Sequence, residues 1–122
     1  MVRNVTKARQ HLSCGDCGEK DGIFVGDVTH PSTLVRPMAG IDYLVVLTSS
    51  LPLQAQNGSY YYPPGGTPRE VDFLGGNAQV QTALATGTTR SILLVSSMGT
   101  TTPDTFLDKL GNGWSLFYKL NQ

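Results

Sequence analysis

The side chains best placed to do chemistry at first sight are Cys14 and Cys17, a C-x-x-C in the segment SCGDCGEKDG and the only cysteines in the 122 residues. A pair at this spacing exchanges disulfides when its first thiol opens a helix that follows a strand, where the helix dipole lowers the thiol pKa. It makes half of a four-ligand zinc site when a second pair lies nearby. Neither context is present: the cysteines follow a helix-like stretch and lie among turn residues, and His11 and His30 do not stand at finger spacing. The sequence therefore favours two ordinary thiols in a helix-to-strand loop over redox or metal work. Tyr60, Tyr61 and Tyr62 have no basic residues interleaved with them, so they read as a loop packing on a neighbour rather than a stacking platform for bases.

The elements that must position any site are legible in the apolar pattern. Three short β-branched runs, Gly22 to Val28, Tyr43 to Thr48 and Ser91 to Ser97, alternate with helix-compatible stretches. This is the pattern of an α/β chain with a parallel sheet. The first two runs are apolar on both faces, as strands covered by helices on two sides require. Val2, Val5, Ala8 and Leu12 recur at helical spacing, so a short helix is predicted over residues 4 to 13 with Asn4 as its N-cap. Pro31 and Ser32 suit the opening of another through Leu34, Val35 and Met38. Residues 51 to 68 read as a long irregular loop, and such loops are usually functional or mobile. A longer helix begins near Thr67 or Pro68, where Glu70 stands three residues after Thr67 in capping-box spacing. Its apolar positions Val71, Leu74, Ala78 and Ala85 run across the Gly75-Gly76 pair, and Gly87 ends it.

Nine basic and nine acidic side chains cancel, so no net field draws the chain to nucleic acid or anionic lipid. The apolar runs are too short to span a bilayer, and none carries the flanks of a secretory signal. The expectation is a soluble protein of the cytoplasm or a stroma-like organellar compartment, not secreted, with no nucleic-acid or membrane partner. The basic opening MVRNVTKARQHL lacks the serine richness and length of a transit peptide.

Taken in order, VRN, VGDVT, AGIDYLVVLTSS, TPREVDFLGGNAQVQTALATG, SILLVSSMGTTTPD and LDKLGNGWSLFYK resemble the atypical, NmrA-like branch of the short-chain dehydrogenase/reductase superfamily over roughly residues 2 to 120. The resemblance implies a Rossmann sheet binding NADP(H) or NAD(H), in proteins that act as reductases, isomerases or redox-sensing binders. It implies a dinucleotide and a small-molecule substrate as partners. Arg3 resembles the arginine that binds the 2′-phosphate of NADP through forked, charge-assisted bonds, its competing role being that of a solvated surface arginine. Asp27 resembles the aspartate beside the adenine amine, with Val28 next to it, and doubles as a helix N-terminal carboxylate. Thr48 and Ser49 stand where the family's backbone lines the adenine ribose, beyond the carboxyl end of a strand. Ser97 and Met98 resemble the nicotinamide-side segment, where the serine hydrogen-bonds a substrate carbonyl or simply forms a turn. Lys119 resembles the catalytic lysine on the nicotinamide ribose, or is a solvated helical lysine. The position four residues before it is Ser115 rather than tyrosine, and a serine hydroxyl is a far weaker acid than a phenol of pKa near 10, so the usual proton donor is missing there.

The chain holds no G-x-x-G-x-x-G turn, the element that cradles a pyrophosphate at a helix N-terminus. The expectation is one partial NAD(P)-binding domain over residues 1–122. Only the tail of a second strand stands in Met1 to Arg3, and the first strand and glycine loop lie outside the sequence. In the spatial order 3-2-1-4-5 the Ile23 run borders the second strand and the Tyr43 run borders the first, so a gap is expected between them. Such a chain would be a fragment of an NADP-dependent oxidoreductase, inactive alone and impaired in cofactor binding. The alternative is a non-catalytic module or redox-sensing binder that completes its sheet with a partner, or self-associates, through exposed strand edges.

Overall fold

A computed structural model of the chain describes residues 1–97. It is a mixed α/β structure with a small parallel sheet flanked by helices, a partial Rossmann-like arrangement. Helix α1, Val5–His11, starts where the sequence puts it, with the Asn4 side chain accepting from the Lys7 amide at 3.0 Å. Short 3-10 turns at Glu19–Asp21 and Pro31–Thr33 precede the one-turn helix α2, Val35–Met38. Strand β1, Tyr43–Val46, pairs in parallel with β4, Ser91–Leu94, in the register Tyr43 to Ser91 through Val46 to Leu94.

Between them, β2 (Leu53–Gln54) and β3 (Tyr60–Tyr61) form a small antiparallel hairpin. Its turn is Asn57-Gly58, with Gly58 at φ +83° and the Asn57 side chain accepting from the Ser59 amide and hydroxyl. The predicted loop is thus irregular only at its two ends, and its Asn-Gly pair is the hairpin signal. A π-helical segment, Arg69–Leu74, then runs into helix α3, Gly75–Ala85.

Three expectations are corrected. Residues 22 to 28 do not form a full strand: a single parallel bridge joins Val2 to Val25, made by Val2 N–H to Phe24 C=O at 2.8 Å and Gly26 N–H to Val2 C=O at 3.0 Å. A strand exists by its pairing, and only Val2 offers a partner before the Asn4 cap. The Tyr43 run is not covered on both faces, and neither is the β4 strand paired with it. Tyr43, Val45, Leu47, Leu93 and Val95 are exposed while Val46 is buried and Leu44 and Ile92 pack on the core, so the described residues cover one face of the pair.

The third correction concerns the long helix. Val71 is buried as expected, but Leu74 and Ala85 are exposed, and Gln79 and Ala83 are buried in their place. Each i→i+5 turn of the π-segment takes up an extra residue, which rotates the downstream face away from the one a uniform 3.6-residue period projects. The core cluster comprises Val28, Leu34, Met38, Val71 and Ala83, with Ile41, Leu44, Ala78 and Ile92 packed against it. It lies between β1/β4 and the helices. Gly75 is where α3 meets the end of the Val25 segment: a Cβ there would lie 2.7 Å from Val28 Cγ2 and 3.1 Å from the Glu70 carbonyl.

The Val2–Val25 bridge and the β1–β4 pair are the two parallel pairings among the described residues, and no backbone ladder joins them. The expected gap in the sheet falls between them.

Candidate functional site

The chain segments that leave these parallel pairings converge on one cavity of about 650 Å³. Its wall is drawn from Met1 to Arg3 and Lys7, from Gly26 to Val28, from Thr48 to Leu51, and from Leu53, Pro63, Gly66 and Val71. The position, beyond the carboxyl ends of parallel strands, is where open α/β sheets bind ligands, and the volume falls in the range of small-molecule sites.

Local sequence explains each wall. Gly26 lets the backbone after the bridge pass close to its neighbours, since a Cβ there would meet the Met1 side chain and lie 3.1 Å from the Thr33 carbonyl. Asp27 then folds back on its own turn. Its Oδ1 accepts from the Thr29 amide at 2.9 Å and the Thr29 hydroxyl at 2.7 Å, and the Asp27 amide donates to Thr33 Oγ1 at 2.9 Å. Partial burial pushes the Asp27 carboxyl upward. The two Thr29 hydrogen bonds, with Arg3 and His30 nearby, outweigh it and hold the pKa below the ordinary 3.8. Asp27 is therefore an ionised acceptor at neutral pH.

Thr48, Ser49 and Ser50 form another part of the wall, and helix-borne polar groups hold them. Asp72, in the π-segment and 1% exposed, accepts from the Ser50 amide at 3.2 Å and from the Ser50 hydroxyl. Gln79, also buried, donates from Nε2 to Thr48 Oγ1 at 2.9 Å and to the Gly75 carbonyl at 3.2 Å. The strand-end loop is thus fixed at both ends by side chains of the same helix.

Of the residues singled out in the sequence, Arg3, Asp27, Val28, Thr48 and Ser49 all line this cavity. Ser97 is half-buried beyond the end of β4 and is not in its wall. Met98 and Lys119 lie outside the described residues, as does Ser115. Sequence reasoning missed Lys7, which lines the cavity from the first turn of α1, four residues after Arg3. It also missed Asp72 and Gln79. The one signal for Asp72 was a lone acid amid the apolar Val71, Phe73 and Leu74.

The two cysteines are not free thiols: Cys14 and Cys17 form a disulfide, which corrects the sequence expectation. No described helix is long and apolar enough to cross a membrane.

Fold and cavity together define a mixed α/β chain of partial Rossmann-like type with a cavity at the carboxyl ends of its parallel strands. The chain is 34% identical over 136 aligned positions to sanguinarine reductase of Eschscholzia californica, an alignment that covers 91% of this chain and 50% of that protein. It is 33% identical over 109 positions to an uncharacterised chloroplastic protein of Arabidopsis thaliana, covering 82% of this chain and 33% of the relative. The chain thus spans about half the length of the first and a third of the second. No family model matches it.

Proposed function

We infer that the chain carries the adenine half of a nicotinamide-dinucleotide site in an NADP-dependent oxidoreductase of the atypical, NmrA-like short-chain dehydrogenase/reductase type. The observation that carries this reading is the cavity itself: five residues assigned to the cofactor by resemblance, from three separate segments, line one wall-to-wall space. The similarity to a protein named as a reductase supports the oxidoreductase part.

The donor set suits the group. Arg3 and Lys7 supply positive charge at one side of the cavity, where a guanidinium and an ammonium bind a 2′-phosphate. Ionised Asp27 accepts from the adenine amine. Thr48 and Ser49 would line the adenine ribose, with Val28 next to Asp27, and the Asp72 and Gln79 bonds keep the strand-end loop in place before a ligand arrives. When bound, the nicotinamide exchanges a hydride with the substrate. At the reacting end, Ser97 would hydrogen-bond a substrate carbonyl and Lys119 the nicotinamide ribose, with Met98 assigned to the nicotinamide side. The compartment assigned is cytoplasm or organellar stroma, in keeping with a relative named as chloroplastic.

Calorimetric titration with NADPH tests the reading, using the chain alone and a longer chain that carries the glycine-rich loop region of a relative fused upstream. The expected result is weak or no binding by the short chain and binding by the long one, since amides at the glycine loop carry the pyrophosphate. Sub-micromolar binding by the short chain overturns the partial-site reading. No binding by the long chain overturns the cofactor assignment.

The unjoined pairings support a second reading. With Val25 and Tyr43 exposed and no ladder between the Val2–Val25 bridge and β1, the chain acts as a binding module that completes its sheet with another strand. Light scattering separates the two, because a monodisperse monomer speaks against the module.

A further inference from the structure

Helix α1 is the least secured part of the cavity wall. It has seven residues and none of them is buried, and a helix this short is marginal without tertiary packing. Its N-terminal end is held by the Asn4 cap and by the Val2–Val25 bridge just before it. At its C-terminal end, Ser13 takes a left-handed conformation at φ +51°, a position that usually falls to glycine. The Ser13 amide donates to the Gln10 carbonyl at 3.3 Å, and the Cys14 amide to the Arg9 carbonyl at 3.0 Å.

Immediately after Ser13 comes the Cys14–Cys17 disulfide, the one cross-link among the described residues. Arg9 Nε donates to the Cys17 carbonyl at 2.7 Å, so Arg9 grips the disulfide loop through both its carbonyl and its guanidinium. From the far side of the loop, Gly18 accepts from the Ile23 amide at 3.0 Å. The loop therefore couples the end of α1 to the segment that leads into Gly26, Asp27 and Val28. These are the two stretches that bring Arg3 and Lys7, and Asp27, to the cavity.

The disulfide closes a ring of four residues. Its effect on the unfolded chain is small, because loop-closure entropy grows with loop length, so its action is local. Both cysteines are half-buried rather than sealed, and a Cβ at Gly15 would meet nothing within 4 Å. The Asp16 carboxylate lies 3.9 Å from Cys14 Sγ, so an incoming thiol meets a partly exposed disulfide with one acid beside it.

We propose that Cys14 and Cys17 are a reversible dithiol–disulfide couple, exchanged with a small-molecule or protein thiol. The oxidised form staples the C-terminal end of α1 and so holds Lys7 at the cavity. In reduction, a donor thiolate attacks one Sγ, the Cys14–Cys17 bond breaks, and the released thiolate takes up a proton. A second donor thiolate then attacks the donor sulfur of the mixed disulfide and frees the other cysteine, which is also protonated. The donors leave as a disulfide, two electrons poorer. This goes beyond the cofactor reading and does not depend on it.

The test uses the 122-residue chain equilibrated in mixtures of reduced and oxidised glutathione, quenched with iodoacetamide and weighed intact, with circular dichroism and amide hydrogen exchange on the same samples. The expected result is passage between no alkylated cysteine and two across the glutathione series, with circular dichroism unchanged. Reduction should speed exchange of the amides in residues 5 to 14 by roughly tenfold and leave those of α3 alone. The Cys14→Ser/Cys17→Ser variant should exchange like the reduced form in either buffer. The proposal is overturned by a pair that stays alkylatable in oxidised glutathione, by a disulfide that survives reduced glutathione, by unfolding on reduction, or by equal exchange rates in both forms.

Discussion

Asp72 and Ser50 meet in the interior, where one carboxylate that is 1% exposed accepts from both the amide and the hydroxyl of a residue twenty-two positions earlier. The relationship ties the π-segment to the loop that forms one wall of the cavity. Removing the carboxylate leaves the buried Ser50 groups without this acceptor, which costs about 1–3 kcal/mol. Asp72→Ala is therefore expected to lower the unfolding free energy by that amount, read as a lower urea midpoint at unchanged slope. Asp72→Asn, which keeps one acceptor oxygen, should lose less, and equal losses in the two variants would contradict the assignment.

Gly75 sits against Val28 with no room for a methyl group. Gly75→Ala gains about 1 kcal/mol of helix propensity and loses about 1–3 kcal/mol to overpacking, so the net expectation is destabilisation. Val28→Ala opens the space. The double variant Val28→Ala/Gly75→Ala should then be more stable than the sum of the single losses requires, measured as a double-mutant cycle in urea.

Thr67 and Glu70 form a reciprocal cap, with the Glu70 amide donating to Thr67 Oγ1 at 3.2 Å, the Thr67 amide to Glu70 Oε2 at 3.2 Å, and the Thr67 hydroxyl to Oε2 at 2.7 Å. Thr67→Ala is expected to cost about 1 kcal/mol, read from the thermal midpoint. It should also bring the Glu70 pKa back up, because the Thr67 hydroxyl is the main cause holding that carboxyl below 4.5.

The Asp27 pKa is depressed in the folded chain, so the unfolded chain binds its proton first as pH falls. Its stabilising contribution is fully present above the ordinary value of 3.8 and is lost as pH drops through the lower folded value. The Asp27→Asn variant should consequently show a shallower fall of thermal midpoint with acidification than the parent chain. Curves that stay parallel below 3.8 would remove Asp27 from the acid response.

Arg3 bears on cofactor choice. In the longer chain carrying a glycine-rich loop, Arg3→Ala should weaken NADPH by about ten- to a hundredfold and leave NADH nearly unchanged, the loss expected for a charge-assisted phosphate contact. Lys7→Ala should move in the same direction by less. Equal losses for both dinucleotides would assign these side chains to folding rather than to the phosphate.

The parts of this fold that the sequence made legible are those set by local chemistry. Asn4 caps its helix, Thr67 and Glu70 close a box, and the Tyr43 and Ser91 runs pair in parallel. Five of the expected cofactor residues share one cavity because each stands just past a run of apolar residues, a position that the sheet itself defines. What escaped depends on tertiary context. The π-turn shifts the buried face from Leu74 and Ala85 to Gln79 and Ala83, and no 3.6-residue template contains that shift. Apolar residues on both sides of a strand signal two-sided cover only where both covers are present, and here Val45 and Leu93 are exposed. The partner of Asp72 could not be read at all, since Ser50 is just one of several hydroxyls in the strand-end segment.

The two walls of the cavity belong to parallel pairings that no backbone ladder connects; their link is the helical layer, where Val28 packs on Gly75. A ligand that touches Arg3 on one side and Thr48 on the other would therefore work as mortar between two bricks. Its binding energy adds to the cohesion of the chain, by an amount that rises with ligand concentration over Kd. Melting with ligand present should then raise the midpoint, and the size of that rise becomes a gauge of occupancy.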